Sequence, residues 1–128
     1  MSLDLAVRDC GDVRIVDVQG RITLGAGAIV LKDALAGTVA AGRRKILLNL
    51  AGLTYLDSAG LGVLISSFAT VQKAGGCLKL LDLTNTVKDL LILTKLYTVF
   101  EHYENEAAAL ASFVEPAVQA AGAAGNLS

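Results

Sequence analysis

Apolar and polar residues alternate over the start of the chain. Leu3, Leu5 and Val7 are separated by polar or small residues, and a second apolar run covers 13–18. Between the two runs lies 9–12, a segment rich in turn-forming residues. Because a period of two is typical of half-buried strands, this region predicts a β-hairpin that opens the fold.

The pattern then changes to helical spacing. Apolar residues recur on one side of a predicted helix that includes Leu31, Leu35 and Val39, and Gly42 marks its end. A nearly continuous apolar run covers 46–50. Such a run predicts a central strand that is covered on both faces.

The clearest helix starts at Ser58 and ends at Gly75-Gly76. Its apolar stripe has i, i+3, i+4, i+7 spacing and consists of Leu61, Leu64, Ile65, Phe68 and Val71. Beyond it we expect a strand over 78–83, a helix over 87–96 with a cap at Asn85-Thr86, a strand over 99–103 and a helix over 106–113. Strands that alternate with helices after a hairpin predict an α/β domain with a mixed sheet.

We expect a single domain over residues 1–115. A chain of 128 residues with 54% hydrophobic and 18% charged residues buries a core of its own, and no internal repeat or linker divides it. Pro116 then interrupts the pattern, and 116–128 is an Ala/Gly-rich C-terminal tail with few large side chains to pack.

Charge and cysteine content argue against several classes of protein. The 11 Lys and Arg residues are balanced by 12 Asp and Glu residues, so no excess positive charge is present to bind nucleic acid. Cys10, Cys77 and the single His102 are too few for a structural zinc site, and we expect two reduced, half-buried thiols. The start of the chain lacks the pattern of a secretory signal. We therefore expect a cytoplasmic protein without membrane insertion, metal or cofactor.

The segment Asp57-Ser58-Ala59-Gly60-Leu61-Gly62 is the candidate functional site. It places Ser58 at or beside the N-cap of the strongest helix, where one interpretation is simple capping by Asp57 or Ser58. The other is phosphorylation of Ser58, because the helix N-terminus favours an anion. Gly60 and Gly62 are unfavourable in a helix, which suggests close approach by another chain. For Gly62 the alternative is tight packing of the helix on the sheet.

Catalysis is not expected from these residues. Gly25-Ala26-Gly27 lacks the third glycine of a dinucleotide fingerprint, and Ser58 is not in a Gly-x-Ser-x-Gly motif. His102 lies far along the chain, and no acidic cluster accompanies Asp57. Weak nucleotide binding remains an alternative that calorimetry tests.

At the Ser58 motif the sequence resembles the STAS domain family, and within it the bacterial anti-sigma factor antagonists. The resemblance runs from about Leu3 to Phe113, with the apolar run 46–50 before the motif and Gly20 closing the second strand. It implies a sheet with helices packed on one side. It also implies that Ser58 is phosphorylated by an anti-sigma factor that is a serine kinase, that unphosphorylated protein binds this partner, and that a serine phosphatase resets the switch.

The resemblance further implies a partner-binding surface around Ser58. The expected contact residues are Asp57, Ala59, Gly60, Gly62, Val63, Ser66, Arg21 and Thr23. In the family an acidic residue usually follows the glycine of the second strand, whereas Arg21 follows Gly20 here. This reversal of charge favours a partner with a different complementary surface.

A second hypothesis is a constitutive STAS adaptor in a signalling assembly or on a membrane transport complex. The helix expected over 87–96 is apolar almost all round, with Leu90, Leu91, Ile92, Leu93 and Leu96. Exposure of some of these residues would favour a partner or weak self-association, and full burial would not.

Overall fold

A computed structural model describes residues 3–23 and 26–113. Within those residues the strands are β1 (Leu3–Cys10), β2 (Val13–Ile22), β3 (Lys45–Leu56), β4 (Cys77–Leu81) and β5 (His102–Tyr103). The helices are α1 (Ala26–Ala40), α2 (Ser58–Lys73), α3 (Asn85–Leu93) and α4 (Glu106–Ser112). The expected tail over 116–128 lies outside the described residues.

The strands form one sheet in the order β1-β2-β3-β4-β5. β1 and β2 are antiparallel, and the other neighbouring strands are parallel. Gly11 lies in the turn between β1 and β2 and has a φ of 62°. Glycine adopts this left-handed backbone conformation without strain. The α/β class and the mixed sheet opened by a hairpin are therefore confirmed.

β2 and β3 are both longer than the sequence pattern predicted. β3 continues from the apolar run to Leu56, and β2 continues past Gly20 to Ile22. The extensions pair with each other beyond two register shifts, one of which follows Gly20. Gly20 therefore lies at an irregularity within β2 and does not close it. Only pairing between distant segments produces these extensions, so local periodicity misses them.

The sheet buries apolar side chains on both faces. The larger core includes Val16, Leu48 and Leu80, and it lies under α1, α2 and α3. Residues of opposite parity on the strands, such as Ile15 and Leu47, form a smaller core with α4. Three helices thus lie on one side as expected. The predicted fourth helix, α4, instead packs on the other face.

Details of α2 and α3 differ from the sequence pattern. On α2 the side chain of Ile65 is 40% exposed, while Ser67 is buried in the stripe. Thr84, and not Asn85, caps α3 by accepting a hydrogen bond from the Val87 N–H. α3 ends at Leu93 because Lys95 adopts a left-handed φ of 63°, a role usually signalled by glycine.

An ion-pair network joins β1, β2 and α4 across the smaller core. The Arg8 guanidinium donates to the Asp17 carboxylate at 2.8 Å and to Glu106 at 2.6 Å. The Asn49 amide also donates to Asp17, at 2.8 Å. The hydrogen bond from Arg8, followed by that from Asn49, holds the pKa of Asp17 below its ordinary value.

Helix length and composition bear on membrane insertion. Among the helices that the structure describes, none is both long enough and apolar enough to cross a bilayer.

Candidate functional site

At the start of α2, Asp57 caps the helix and Ser58 is exposed. Asp57 is the N-cap, and its carboxylate accepts a hydrogen bond from the Gly60 N–H at 2.8 Å. Ser58 is the first helical residue and is exposed. The expectation that Ser58 lies beside the cap is confirmed, and the capping role belongs to Asp57. The Ser58 hydroxyl forms no hydrogen bond within the described residues, and the residue is exposed at the start of α2.

Gly60 allows the first turn of α2 to pack directly on β2. A Cβ at Gly60 would lie 2.5 Å from the Ile22 carbonyl oxygen and 2.6 Å from a methyl of Leu56. The same carbonyl accepts a hydrogen bond from the Asp57 N–H at 3.2 Å. Gly60 is buried, so its missing side chain is explained by packing inside the fold, which the sequence analysis had suggested for Gly62.

Gly62 lies on the outer face of α2. It is exposed, and a Cβ there would meet nothing within 4 Å. Ser66, one turn further along, is also exposed, while Ala59 and Val63 are half-buried. Ser58, Gly62 and Ser66 therefore form a shallow outer face that a partner backbone can approach closely.

Arg21 and Thr23 lie at the end of β2 and directly after it, where a hydrogen bond from the Asp57 N–H to the Ile22 carbonyl joins β2 to the start of α2. Arg21 is paired with Tyr55 across the sheet, and its guanidinium carbon lies 4.5 Å from the centre of the Tyr55 ring. The carbonyl of Thr23 accepts a hydrogen bond from the Ala28 N–H at 3.1 Å, which joins the residue after β2 to α1. We use "Ser58 surface" below for Ser58, Gly62, Ser66, Arg21 and Tyr55.

Tyr55 is the residue of this surface that the sequence analysis missed. It is 40% exposed and lies three residues before Ser58. Tyr55 lies two residues after Leu53 and shortly before α2. So short a pattern does not show whether Tyr55 belongs to a strand or to a loop. Only the pairing of Arg21 with Tyr55 identifies its neighbour.

The two cysteines and the acidic groups are the remaining candidate ligands for a metal ion. Cys10 and Cys77 are free thiols, and both are exposed, which corrects the expectation of half-burial. In the two described segments, no three His, Cys, Asp or Glu side chains lie close enough to hold a metal ion. The lowered pKa values of Asp9 and Asp12, caused first by hydrogen bonds from Arg14 and Lys45 respectively, belong to the hairpin turn at the far end of β2.

A separate apolar patch lies on α3. Leu91 is fully buried, whereas Ile92 is 51% and Leu93 80% exposed. Leu90 and Leu96 are half-buried against the core. The helix is thus neither fully buried nor fully exposed, and Ile92 and Leu93 remain accessible on its outer face.

Comparison with known proteins identifies relatives of this chain. The family model of the STAS domain matches residues 4–109. The chain is 30% identical over 101 residues to the anti-sigma-B factor antagonist of Bacillus subtilis (strain 168), an alignment covering 79% of this chain and 91% of that protein. It is 34% identical over 65 residues to the anti-sigma F factor antagonist of Paenibacillus polymyxa, covering 51% of this chain and 56% of that relative.

Solved structures share the fold at lower identity. A candidate anti-sigma factor antagonist from Thermotoga maritima matches with a TM-score of 0.79 and 23% identity, covering 84% of this chain and 92% of the other. The Bacillus cell fate determinant SpoIIAA in its phosphorylated form matches with a TM-score of 0.67 and 14% identity, covering 85% of this chain and 99% of the other. At these identities the match concerns the fold alone.

Proposed function

Because this chain belongs to the STAS domain family and its relatives include anti-sigma factor antagonists, we propose that it is an anti-sigma factor antagonist controlled at Ser58. The unphosphorylated protein binds an anti-sigma factor that has serine kinase activity and thereby frees a sigma factor. Phosphorylation of Ser58 releases that partner, and a serine phosphatase restores the binding form. The protein acts in the cytoplasm as a substrate and binding partner, and not as an enzyme.

The observation that carries this proposal is the position of Ser58. Ser58 is exposed as the first residue of α2, while Asp57 supplies the cap. A kinase therefore reaches the hydroxyl without breaking the capping hydrogen bond. A protein of the same fold, SpoIIAA, has been solved in a phosphorylated form, which supports a phosphate-controlled switch on this architecture.

The electrostatics of the site favour an effect on the partner over an effect on the fold. Two unit charges ~6 Å apart at an effective dielectric constant of ~20 repel by about 3 kcal/mol, so Asp57 opposes a phosphate on Ser58. The helix N-terminus returns only ~0.3–2 kcal/mol. Both effects are screened at an exposed site. A partner docked over Ser58, however, would have to remove water from a dianion, which is far more costly.

The proposed contact surface is formed by the residues expected from the sequence, on α2 and at the end of β2. Gly62 and Ser66 provide the outer face of α2, with Ala59 and Val63 beside them. Asp57 and Gly60 position the first turn, and Arg21 and Thr23 extend the surface across the end of β2. Arg21 favours a partner with an acidic complementary patch.

A kinase assay tests the phosphorylation step directly. The protein is incubated with ATP and each candidate serine kinase of the same organism, followed by intact-mass measurement and site mapping. We expect one phosphate on Ser58, its loss in Ser58→Ala, and its retention in Ser66→Ala, a matched control because Ser66 is also exposed on α2. Phosphorylation of Ser66 alone, or of neither serine by any candidate, would argue against the switch.

A binding assay tests the consequence of the charge. The kinase identified above is titrated against the native protein, Ser58→Ala and Ser58→Asp. We expect Ser58→Ala to bind as tightly as the native protein and Ser58→Asp to bind at least tenfold more weakly. Equal affinity for all three proteins would refute phosphorylation as the release signal.

The exposed patch on α3 supports a second candidate function, that of a constitutive adaptor in a signalling assembly or a membrane transport complex. Leu93 is 80% exposed, and an apolar side chain that is so accessible is available to a stable partner subunit. Protein isolated from its native cells distinguishes the candidates. Phosphate-free Ser58 together with co-purifying subunits that are lost in Leu93→Ser, but kept in Ser58→Asp, would favour the adaptor.

A further inference from the structure

Arg21 is held on the Ser58 surface by an aromatic ring and not by a carboxylate. Its guanidinium carbon lies 4.5 Å from the centre of the Tyr55 ring, and both side chains are exposed. Arg8 and Arg14 each form ion pairs with aspartates. Over the described part of the chain, Arg21 has no such ion pair. Its charge therefore lacks an anionic partner among these residues.

The backbone of Arg21 is paired within the sheet. Any change in the contacts of Arg21 would therefore involve its side chain. Arg21 lies in register with Tyr55 in the β2–β3 ladder. On its other side, a Cβ at Gly27 would lie 2.8 Å from the Arg21 carbonyl oxygen, which shows how closely α1 packs there. The exposed side chain of Arg21 projects from this paired backbone.

Ser58 lies near Tyr55, the residue that pairs with Arg21. It follows Tyr55 by three residues, which places the two Cα atoms within ~10 Å of each other at the rise of an extended chain. The hydrogen bond from the Asp57 N–H to the Ile22 carbonyl joins the start of α2 to the residue directly after Arg21. Arg21 and Ser58 therefore share one end of the sheet.

We infer that Arg21 is the internal counter-ion for a phosphate on Ser58, lying on the Tyr55 ring in the unmodified protein and moving to the phosphate after phosphorylation. This inference rests on the proposed function. A ring face holds an exposed guanidinium weakly. A phosphate dianion offers three strong acceptor oxygens and accepts paired, charge-assisted hydrogen bonds from arginine. The move also offsets the repulsion between the phosphate and Asp57.

The exchange would change the Ser58 surface in two places at once. The phosphate adds negative charge at Ser58, and the departure of Arg21 removes a cation and uncovers the Tyr55 ring. A partner that docks on Arg21 thus loses a contact in addition to meeting a dianion. In this way a residue whose charge is reversed relative to the family pattern becomes part of the release mechanism.

The test uses the full chain with phosphoserine installed at position 58 during translation, so that it needs neither a kinase nor a partner. Titration by ³¹P NMR gives the second pKa of the phosphate, which is ordinarily ~6. We expect this pKa to be about one unit lower in the native background than in Arg21→Gln, because a cation within contact distance favours the dianion. Arg21→Lys should keep most of the decrease.

Lys73→Gln is the matched control, since it removes a cation from the last residue of α2. It should leave the phosphate pKa unchanged. In the same samples, the Arg21 side-chain resonances should leave the ring-current region of Tyr55 when the phosphate is present. An equal pKa in the native protein and Arg21→Gln, or an equal increase in Lys73→Gln, would overturn the inference. Failure of the proposed function would instead appear as absent phosphorylation by every candidate kinase, a result on which this titration does not depend.

Discussion

Replacing Gly60 with alanine tests the packing that presents Ser58. The new methyl group would meet the Ile22 carbonyl oxygen at 2.5 Å. That oxygen is backbone in the paired region of β2 and β3, so it cannot rotate away. The start of α2 must therefore lift from the sheet, which stretches the hydrogen bond from the Asp57 N–H to the same oxygen.

The expected cost follows from three contributions. Overpacking of a close contact typically costs ~1–3 kcal/mol. Loss of one backbone hydrogen bond costs ~0.5–1.5 kcal/mol. The better helix propensity of alanine returns at most ~1 kcal/mol. Gly60→Ala should therefore lower the free energy of unfolding by about 0.5–4.5 kcal/mol.

Gly62→Ala is the matched control because it makes the same chemical change two residues later on the same helix. A Cβ at Gly62 meets nothing within 4 Å, so only the gain in propensity remains. This variant should be more stable than the native protein by ~0.5–1 kcal/mol.

Urea denaturation followed by circular dichroism measures both variants. With a slope of ~1–3 kcal/mol per molar for small proteins, the two midpoints should differ by about 0.3 M or more, with Gly60→Ala the lower. Equal midpoints, or a Gly60→Ala protein more stable than Gly62→Ala, would refute the packing argument.

Three further predictions concern the cap, the ion-pair network and α3. Asp57→Ala should destabilise the fold by ~1 kcal/mol in urea denaturation through loss of the hydrogen bond to the Gly60 N–H, and Asp57→Asn should keep most of that stability. The pKa of Asp17 is lower in the folded than in the unfolded chain. Its contribution to the stability of the fold is therefore complete above pH ~3.9, the unfolded pKa of an aspartate, and is lost as the pH falls through the folded pKa. Urea midpoints between pH 5 and pH 2 should therefore fall less steeply in Asp17→Asn, and an unchanged slope would contradict this. Leu91→Ala should lower the free energy of unfolding by ~2–5 kcal/mol because Leu91 is buried, whereas Leu93→Ser should change it by less than ~0.5 kcal/mol because Leu93 is exposed. Thermal denaturation measures both variants.

The sequence by itself determined the order and type of the elements. Alternation over 3–7 and 13–18 predicted the hairpin, and the stripe from Leu61 to Val71 predicted α2 with Ser58 at its start. These features are local, because periodicity and capping preferences act within a few residues. The Asp57-Ser58 motif and its surrounding pattern also indicated the STAS family, which the match over residues 4–109 confirms.

Tertiary structure decided what surrounds Ser58. Pairing of β2 with β3 extended both strands and placed Tyr55 beside Arg21. It also decided that Gly60 is the glycine required by packing and that Gly62 is open. Both glycines look alike in the sequence, since each merely weakens a helix. Their difference depends on a carbonyl group 38 positions earlier in the chain, at Ile22, which only the assembled sheet brings against α2.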